Sequence, residues 1–281
     1  MKRPTRNAIA TCLITLMLQA CASIPSPEAR TEHASALAQE QGLKPITLKA
    51  GQFELKGFSG VTTARAERLR VYIEGDGLAW ITRSRPSPDP TPVDPLALRL
   101  ALRDSSAQVI YLGRPCQYQP HANCPARYWL GSRFAPEVVN AYNEALNQLK
   151  EEYSANRLTL IGYSGGGAIA TLLAEARTDV DRLVTIAGNL DTDYWSDYHR
   201  ITPLVGSLNP ADNRARLANV EQWHFVGEHD SIIPPAMTRR FVTGLNSLRP
   251  VHMTIIPGYD HHCCWTERWP ALLDEMQDES P

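Results

Sequence analysis

Past its first twenty residues the sequence has no apolar run of the roughly 20 residues that a membrane-spanning helix needs. No further segment is therefore expected to cross a bilayer. It also lacks any basic run: 28 Lys and Arg stand against 30 Asp and Glu, for a formal net charge of −2. Phosphate backbones demand a basic surface, so nucleic acid is not an expected partner. Neither C-x-x-C nor H-E-x-x-H spacing occurs, and consecutive residues such as Asp260-His261-His262-Cys263-Cys264 cannot all aim at one ion. No metal or other cofactor is expected. There is no internal repeat, and a chain of this length buries about three-quarters of its unfolded surface in one core without help from metals or partners.

What is present begins with Lys2, Arg3 and Arg6 ahead of an apolar stretch over 9–18, too short to span a bilayer. That pattern is an export signal. It ends in Leu18-Gln19-Ala20-Cys21, which resembles the lipobox of bacterial lipoproteins. The resemblance implies cleavage before Cys21 and lipidation of Cys21. Ala22, where inner-membrane lipoproteins often carry aspartate, implies the periplasmic face of the outer membrane. An ordinary secretory signal with an incidental cysteine is the alternative, and it exports the chain equally. Each buried acyl methylene contributes about 0.8 kcal/mol, so two or more chains hold a soluble domain at a membrane. Without the three basic residues of the signal the formal charge falls to −5.

Of six cysteines, Cys12 lies in this leader and Cys21 is the residue expected to be lipidated. The other four face an oxidising compartment. A Cys116–Cys124 bridge is preferred because it would staple a loop rich in Pro, Gln, Asn and His that has little apolar content of its own. The pairing of Cys263 and Cys264 stays open.

Three regions follow: the leader over 1–20, a polar tether and short helix over 21–44, and one domain over 45–281. Alternating stretches at 46–50 and 53–58 read as an antiparallel hairpin. Continuous apolar runs at 69–73, 107–112, 158–162, 183–187, 222–226 and 252–256 then alternate with helical segments near 94–103, 136–153, 165–177 and 235–245. Continuous apolarity marks strands buried on both faces, and strand–helix alternation demands a parallel sheet between helices. The expected class is a three-layer α/β fold with a mostly parallel sheet and an N-terminal antiparallel hairpin. Two excursions, 82–95 with its five prolines and 189–219, are expected either to cap the ligand end of the sheet or to decorate it.

The chemistry concentrates in Gly162-Tyr163-Ser164-Gly165-Gly166, between an apolar strand and a small-residue helix start. Glycines are needed where the chain reverses sharply, and the turn puts a hydroxyl at a helix N-terminus, where developing negative charge is favoured. A serine becomes a nucleophile when a neutral imidazole takes its proton, and a carboxylate holds that imidazole. Both partners occur downstream, acid before base, in Gly227-Glu228-His229-Asp230 and Gly258-Tyr259-Asp260-His261-His262. Asp230 is preferred to Glu228, with Asp193 and Asp212 weaker rivals, and His261 is preferred to His262.

Together these residues resemble the α/β hydrolases, and more narrowly the exported serine-hydrolase lipoproteins of bacteria, over roughly 46–269. The resemblance implies Ser164 as nucleophile, His261 as base and Asp230 as acid. It implies an oxyanion hole of backbone N–H groups from Gly165 and from the loop Glu74-Gly75-Asp76-Gly77, with Asp76 the chosen second donor. Many hydrolases have histidine where Glu74 stands. The implied reaction is cleavage of a carboxylic ester or related acyl bond of a small molecule through an acyl-enzyme. Peptidase or thioesterase activity is open to the same residues. A non-catalytic envelope binding lipoprotein on the same fold is the rival from another class. Tyr194, Trp195 and Tyr198 line a substrate pocket or simply pack their loop.

Overall fold

Strands form where the apolar runs lie, and the structure, a computed structural model, describes residues 24–62, 65–106, 108–119 and 124–278. The stretch expected to be an export signal, and Cys21, lie outside the described residues. Ten strands are β1 (Lys44–Ala50), β2 (Phe53–Ser59), β3 (Arg68–Ile73), β4 (Trp80–Thr82), β5 (Arg85–Pro86), β6 (Val109–Leu112), β7 (Arg157–Tyr163), β8 (Val180–Ile186), β9 (Glu221–Gly227) and β10 (Val251–Ile256). Eight of them build one sheet in the order β1-β2-β6-β3-β7-β8-β9-β10, and β4 and β5 pair separately. β1 and β2 form the expected hairpin, β2 runs antiparallel to β6, and every pairing from β6 to β10 is parallel.

Helices α1 (Pro27–Glu40), α2 (Leu96–Ala101), α3 (Pro136–Glu152), α4 (Gly165–Ala176), α5 (Thr192–His199), α6 (Pro235–Thr243) and α7 (Trp265–Asp278) cover the sheet. Two apolar cores result. One joins α3 and α4 to the sheet, with Val138, Tyr142, Leu146, Ile169 and Leu173 against Val71, Ile110 and Leu160. The other joins α1, α2 and α7, with Ala34, Leu98, Trp265 and Trp269 against Tyr72, Tyr111, Ile161 and Phe225.

Three details differ from the sequence-based expectation. Helix α1 starts at Pro27, inside the 23–30 stretch expected to be tether, because Ser26 caps it by accepting from Ala29 N–H at 3.2 Å and Pro27 opens its first turn. Helices α5 and α7 and the small β4–β5 hairpin were not expected. The excursion 189–219 contains α5 and two short 3₁₀ turns, Pro210–Asp212 and Arg214–Leu217.

The proline-rich excursion is built into the body: Ser87, Asp89 and Thr91 are buried. Arg30 of α1 reaches it with an ion pair to Asp89 at 3.3 Å and hydrogen bonds to the carbonyls of Asp89 and Thr91. Leu78 N–H donates to the Pro90 carbonyl at 3.1 Å, so the same excursion also touches the loop that follows β3.

Candidate active site

Parallel strands deliver their C-terminal turns to one edge of the sheet, and the three expected residues sit on such turns. Ser164 links β7 to α4 with φ 52° and ψ −117°, a sparsely populated conformation for a non-glycine residue. The backbone enforces it from three sides. Ser164 N–H donates to the Ile186 carbonyl at 2.9 Å, while the Ser164 carbonyl accepts from Gly167 and Asn189 N–H at 3.0 and 3.1 Å. The turn closes so tightly that a β-carbon on Gly162 would fall 2.2 Å from the Gly166 carbonyl oxygen.

Asp230 follows β9. It is buried, and its Oδ1 accepts from the N–H groups of Ile232 and Ile233 at 2.8 and 2.7 Å, which leaves Oδ2 for another partner. That partner is His261, after β10, whose Nδ1 donates to Asp230 Oδ2 at 2.8 Å. On the far side of the ring, His261 Nε2 lies 3.0 Å from Ser164 Oγ, within hydrogen-bond distance of the hydroxyl. Because a carboxylate only accepts, the Asp230 contact selects the tautomer that leaves Nε2 free to act as acceptor.

The Asp230 and His261 loops are laced together, since His229 N–H donates to the Tyr259 carbonyl at 2.8 Å and Glu228 N–H to that of Ile256 at 3.0 Å. The His261 loop is folded by Asp260, whose Oδ1 accepts from His262 and Cys263 N–H at 2.8 and 2.7 Å. Trp265 Nε1 holds the carbonyls of Asp260 and His261, each at 3.2 Å. The rivals lie elsewhere. Glu228 is exposed and takes Gly258 N–H, whereas Asp193 and Asp212 remain on the long excursion. His262 places Nδ1 2.9 Å from the Tyr163 hydroxyl, and the Tyr163 ring packs on His261 with centroids 5.3 Å apart. Cys263 bonds to Cys264, and Cys116 bonds to Cys124 as preferred from the sequence.

The loop after β3 lies directly against the Ser164 turn. A β-carbon on Gly165 would fall 2.1 Å from Asp76 Oδ1, and one on Gly166 would meet the carbonyl oxygens of Ile73 and Glu74 at 2.2 and 2.6 Å. Among the described residues neither Asp76 N–H nor Gly165 N–H has a hydrogen-bond partner. Both donors named from the sequence are thus close in the chain fold and uncommitted. The Asp76 side chain has a separate fate that sequence reasoning missed. Its Oδ1 pairs with Arg114 at 3.1 Å and its Oδ2 with Arg133 at 2.5 Å. Burial alone would raise the Asp76 pKa, but the charges of Arg133 and Arg114 outweigh it and hold the carboxyl below its ordinary value. The only signal in the sequence was Arg114 just after an apolar strand; Arg133 had none.

Glu74 is fully buried, and burial raises its carboxyl to about 7 against hydrogen bonds from Gly75, Tyr111, Ala97 and Leu98. No family model matches the sequence, and no curated protein matches it significantly. Solved structures do match. The chain superposes on puromycin hydrolase with TM-score 0.60 and 17% identity over 83% of its length, but spans only 38% of that chain. It superposes on Est1E from Butyrivibrio proteoclasticus with TM-score 0.59 and 11% identity, covering 84% of this chain and 98% of the other. XC6422 from Xanthomonas campestris, an a/b serine hydrolase without lid, gives TM-score 0.55 and 14% identity over 85% and 95% of the two chains. The chain has the α/β-hydrolase fold.

Proposed function

We propose that the protein is a serine hydrolase that cleaves a carboxylic ester or related acyl bond of a small molecule. The observation that carries this reading is the continuous relay from Ser164 Oγ through His261 to Asp230, at 3.0 and 2.8 Å. Ser164 Oγ attacks the acyl carbon while its proton passes to His261 Nε2, and Asp230 stabilises the resulting imidazolium. The carbonyl oxygen, now an oxyanion, takes the N–H groups of Gly165 and Asp76, donors of a kind worth about 2.7–4 kcal/mol each. His261 returns the proton to the leaving group. Water then attacks the acyl-enzyme and gives a proton to His261; the bond from Ser164 Oγ to the acyl carbon breaks, the carboxylic acid leaves, and Ser164 Oγ recovers the proton from His261.

A fluorophosphonate probe should label the wild-type protein and leave Ser164→Ala unlabelled; labelling that persists in the variant removes Ser164 from the role. Parallel rates on ester, thioester and amide substrates separate esterase from thioesterase and peptidase. Absence of both labelling and turnover favours the non-catalytic binding protein. The reading includes export and lipidation at Cys21, supported by the lipobox-like Leu18-Gln19-Ala20-Cys21. Cys21→Ser should release the protein from the membrane fraction, and unchanged sedimentation would remove the anchor.

A further inference from the structure

We propose that Glu74 is a positioning residue that holds the loop 74–77 so that Asp76 N–H meets the oxyanion. The inference rests on the serine-hydrolase reading above. Glu74 is 1% exposed, and its carboxyl ties together three separate segments. Oε1 accepts from Gly75 N–H at 2.8 Å and from Ala97 N–H, in the first turn of α2, at 3.4 Å. Oε2 accepts from the Tyr111 hydroxyl of β6 at 3.1 Å, and that hydroxyl also meets Tyr118 at 2.7 Å. The backbone is held as well, because Glu74 N–H donates to the Leu112 carbonyl at 3.0 Å and its own carbonyl packs against Gly166.

A buried carboxyl is costly, and apolar side chains would fill the space with less penalty. What this one provides is a carboxyl acceptor for Gly75 N–H. Consuming that donor internally leaves Asp76 N–H as the next uncommitted donor along the loop, beside Gly165 N–H on the nucleophile turn. The loop is thus held at its first residue by the hydrogen bonds of Glu74 and at its third by the Arg114–Asp76–Arg133 cluster, whose contacts are charge-assisted. A donor that acts only in the transition state must be held before the reaction starts. Displacement by about 1 Å is enough to lose much of the rate.

The test compares Glu74→Met with Glu74→Gln in the full chain. Met removes both acceptors; Gln keeps an oxygen for Gly75 N–H. The expected result is a roughly 10–100-fold fall in kcat for Glu74→Met with KM within about twofold of wild type, and recovery to within about threefold by Glu74→Gln. Should Glu74→Met fail to fold, Tyr111→Phe removes only the Oε2 donor and is expected to lower kcat at least about threefold at constant KM. A folded Glu74→Met with wild-type kcat overturns the inference, as does an unchanged kcat in Tyr111→Phe, since either would leave Glu74 only a packing role. Wild-type protein that neither labels nor turns over defeats the serine-hydrolase reading itself. Wild type and Glu74→Met that turn over equally defeat only the role of Glu74.

Discussion

Glu175, in the last turn of α4, has no part in the reaction yet is buried, and its Oε1 lacks a hydrogen-bond partner among the described residues. Burial, with a smaller push from Asp212, raises its carboxyl to about 8 against the pull of Arg216. A folded-state value above the ordinary 4.5 means that the folded protein binds more protons than the unfolded chain between those limits. Its contribution to stability therefore falls as pH rises from about 4.5 to about 8. Glu175→Met should raise the urea midpoint at pH 8, by about 1–3 kcal/mol in unfolding free energy, and change it much less at pH 5. Equal shifts at both pH values would show that Glu175 does not titrate in this window. The same scale explains which site residues were legible. Ser164, Asp230 and His261 each end an apolar strand in a glycine-bearing turn, so short local patterns announce them. Arg114 and Arg133 meet only through the tertiary fold around Asp76, and no spacing encodes that meeting.

Among elements, the large strands were readable because β3, β6, β7, β8 and β9 carry buried residues on both faces and so appear as unbroken apolar runs. Helix α5 was not, because only Thr192 and Ser196 of its eight residues are buried and it presents no apolar stripe. Helix α7 contains Pro270, which argues against a helix in sequence, although the helix carries Trp265 and Trp269 into the core. The loop around 116–119 is an element of another kind. Cys116 and Tyr118 take φ values of 73° and 62°, uncommon for non-glycine residues, and the loop donates Gln117 Nε2 to the Gly75 carbonyl at 3.1 Å. The Cys116–Cys124 bridge closes this short loop, and loop-closure entropy gives it about 2–3 kcal/mol. Replacing both cysteines with serine should lower unfolding free energy by about that amount in guanidinium titration. Ester turnover should fall as well, since the loop braces Gly75. Full stability in the double variant would mean that the fold alone orders the loop.

At the scale of the whole molecule, the N-terminal helix is connected to the site through one buried ion pair. Arg30 and Asp89 have side chains 3% and 4% exposed, far from the surface pairs whose contribution is near zero. Asp89 sits in the proline-rich excursion, where its Oδ1 also accepts from Thr91 N–H at 2.7 Å, and the neighbouring Pro90 carbonyl takes Leu78 N–H just beyond the loop 74–77. Packing is equally direct, for a β-carbon on Gly77 would fall 2.0 Å from the Pro90 carbonyl oxygen. Removing one member of a buried pair strands the other charge, at about 3–5 kcal/mol, whereas removing both relieves that penalty. Arg30→Met should therefore destabilise the protein by about that amount, and Arg30→Met with Asp89→Asn by clearly less than the sum of the two single changes. If the excursion carries the strain to the oxyanion loop, Arg30→Met should also lower kcat well below its melting temperature while fluorophosphonate still reaches Ser164. Strict additivity of the two substitutions would show that helix α1 merely rests on the domain, and an unchanged kcat would confine the pair to holding that helix in place.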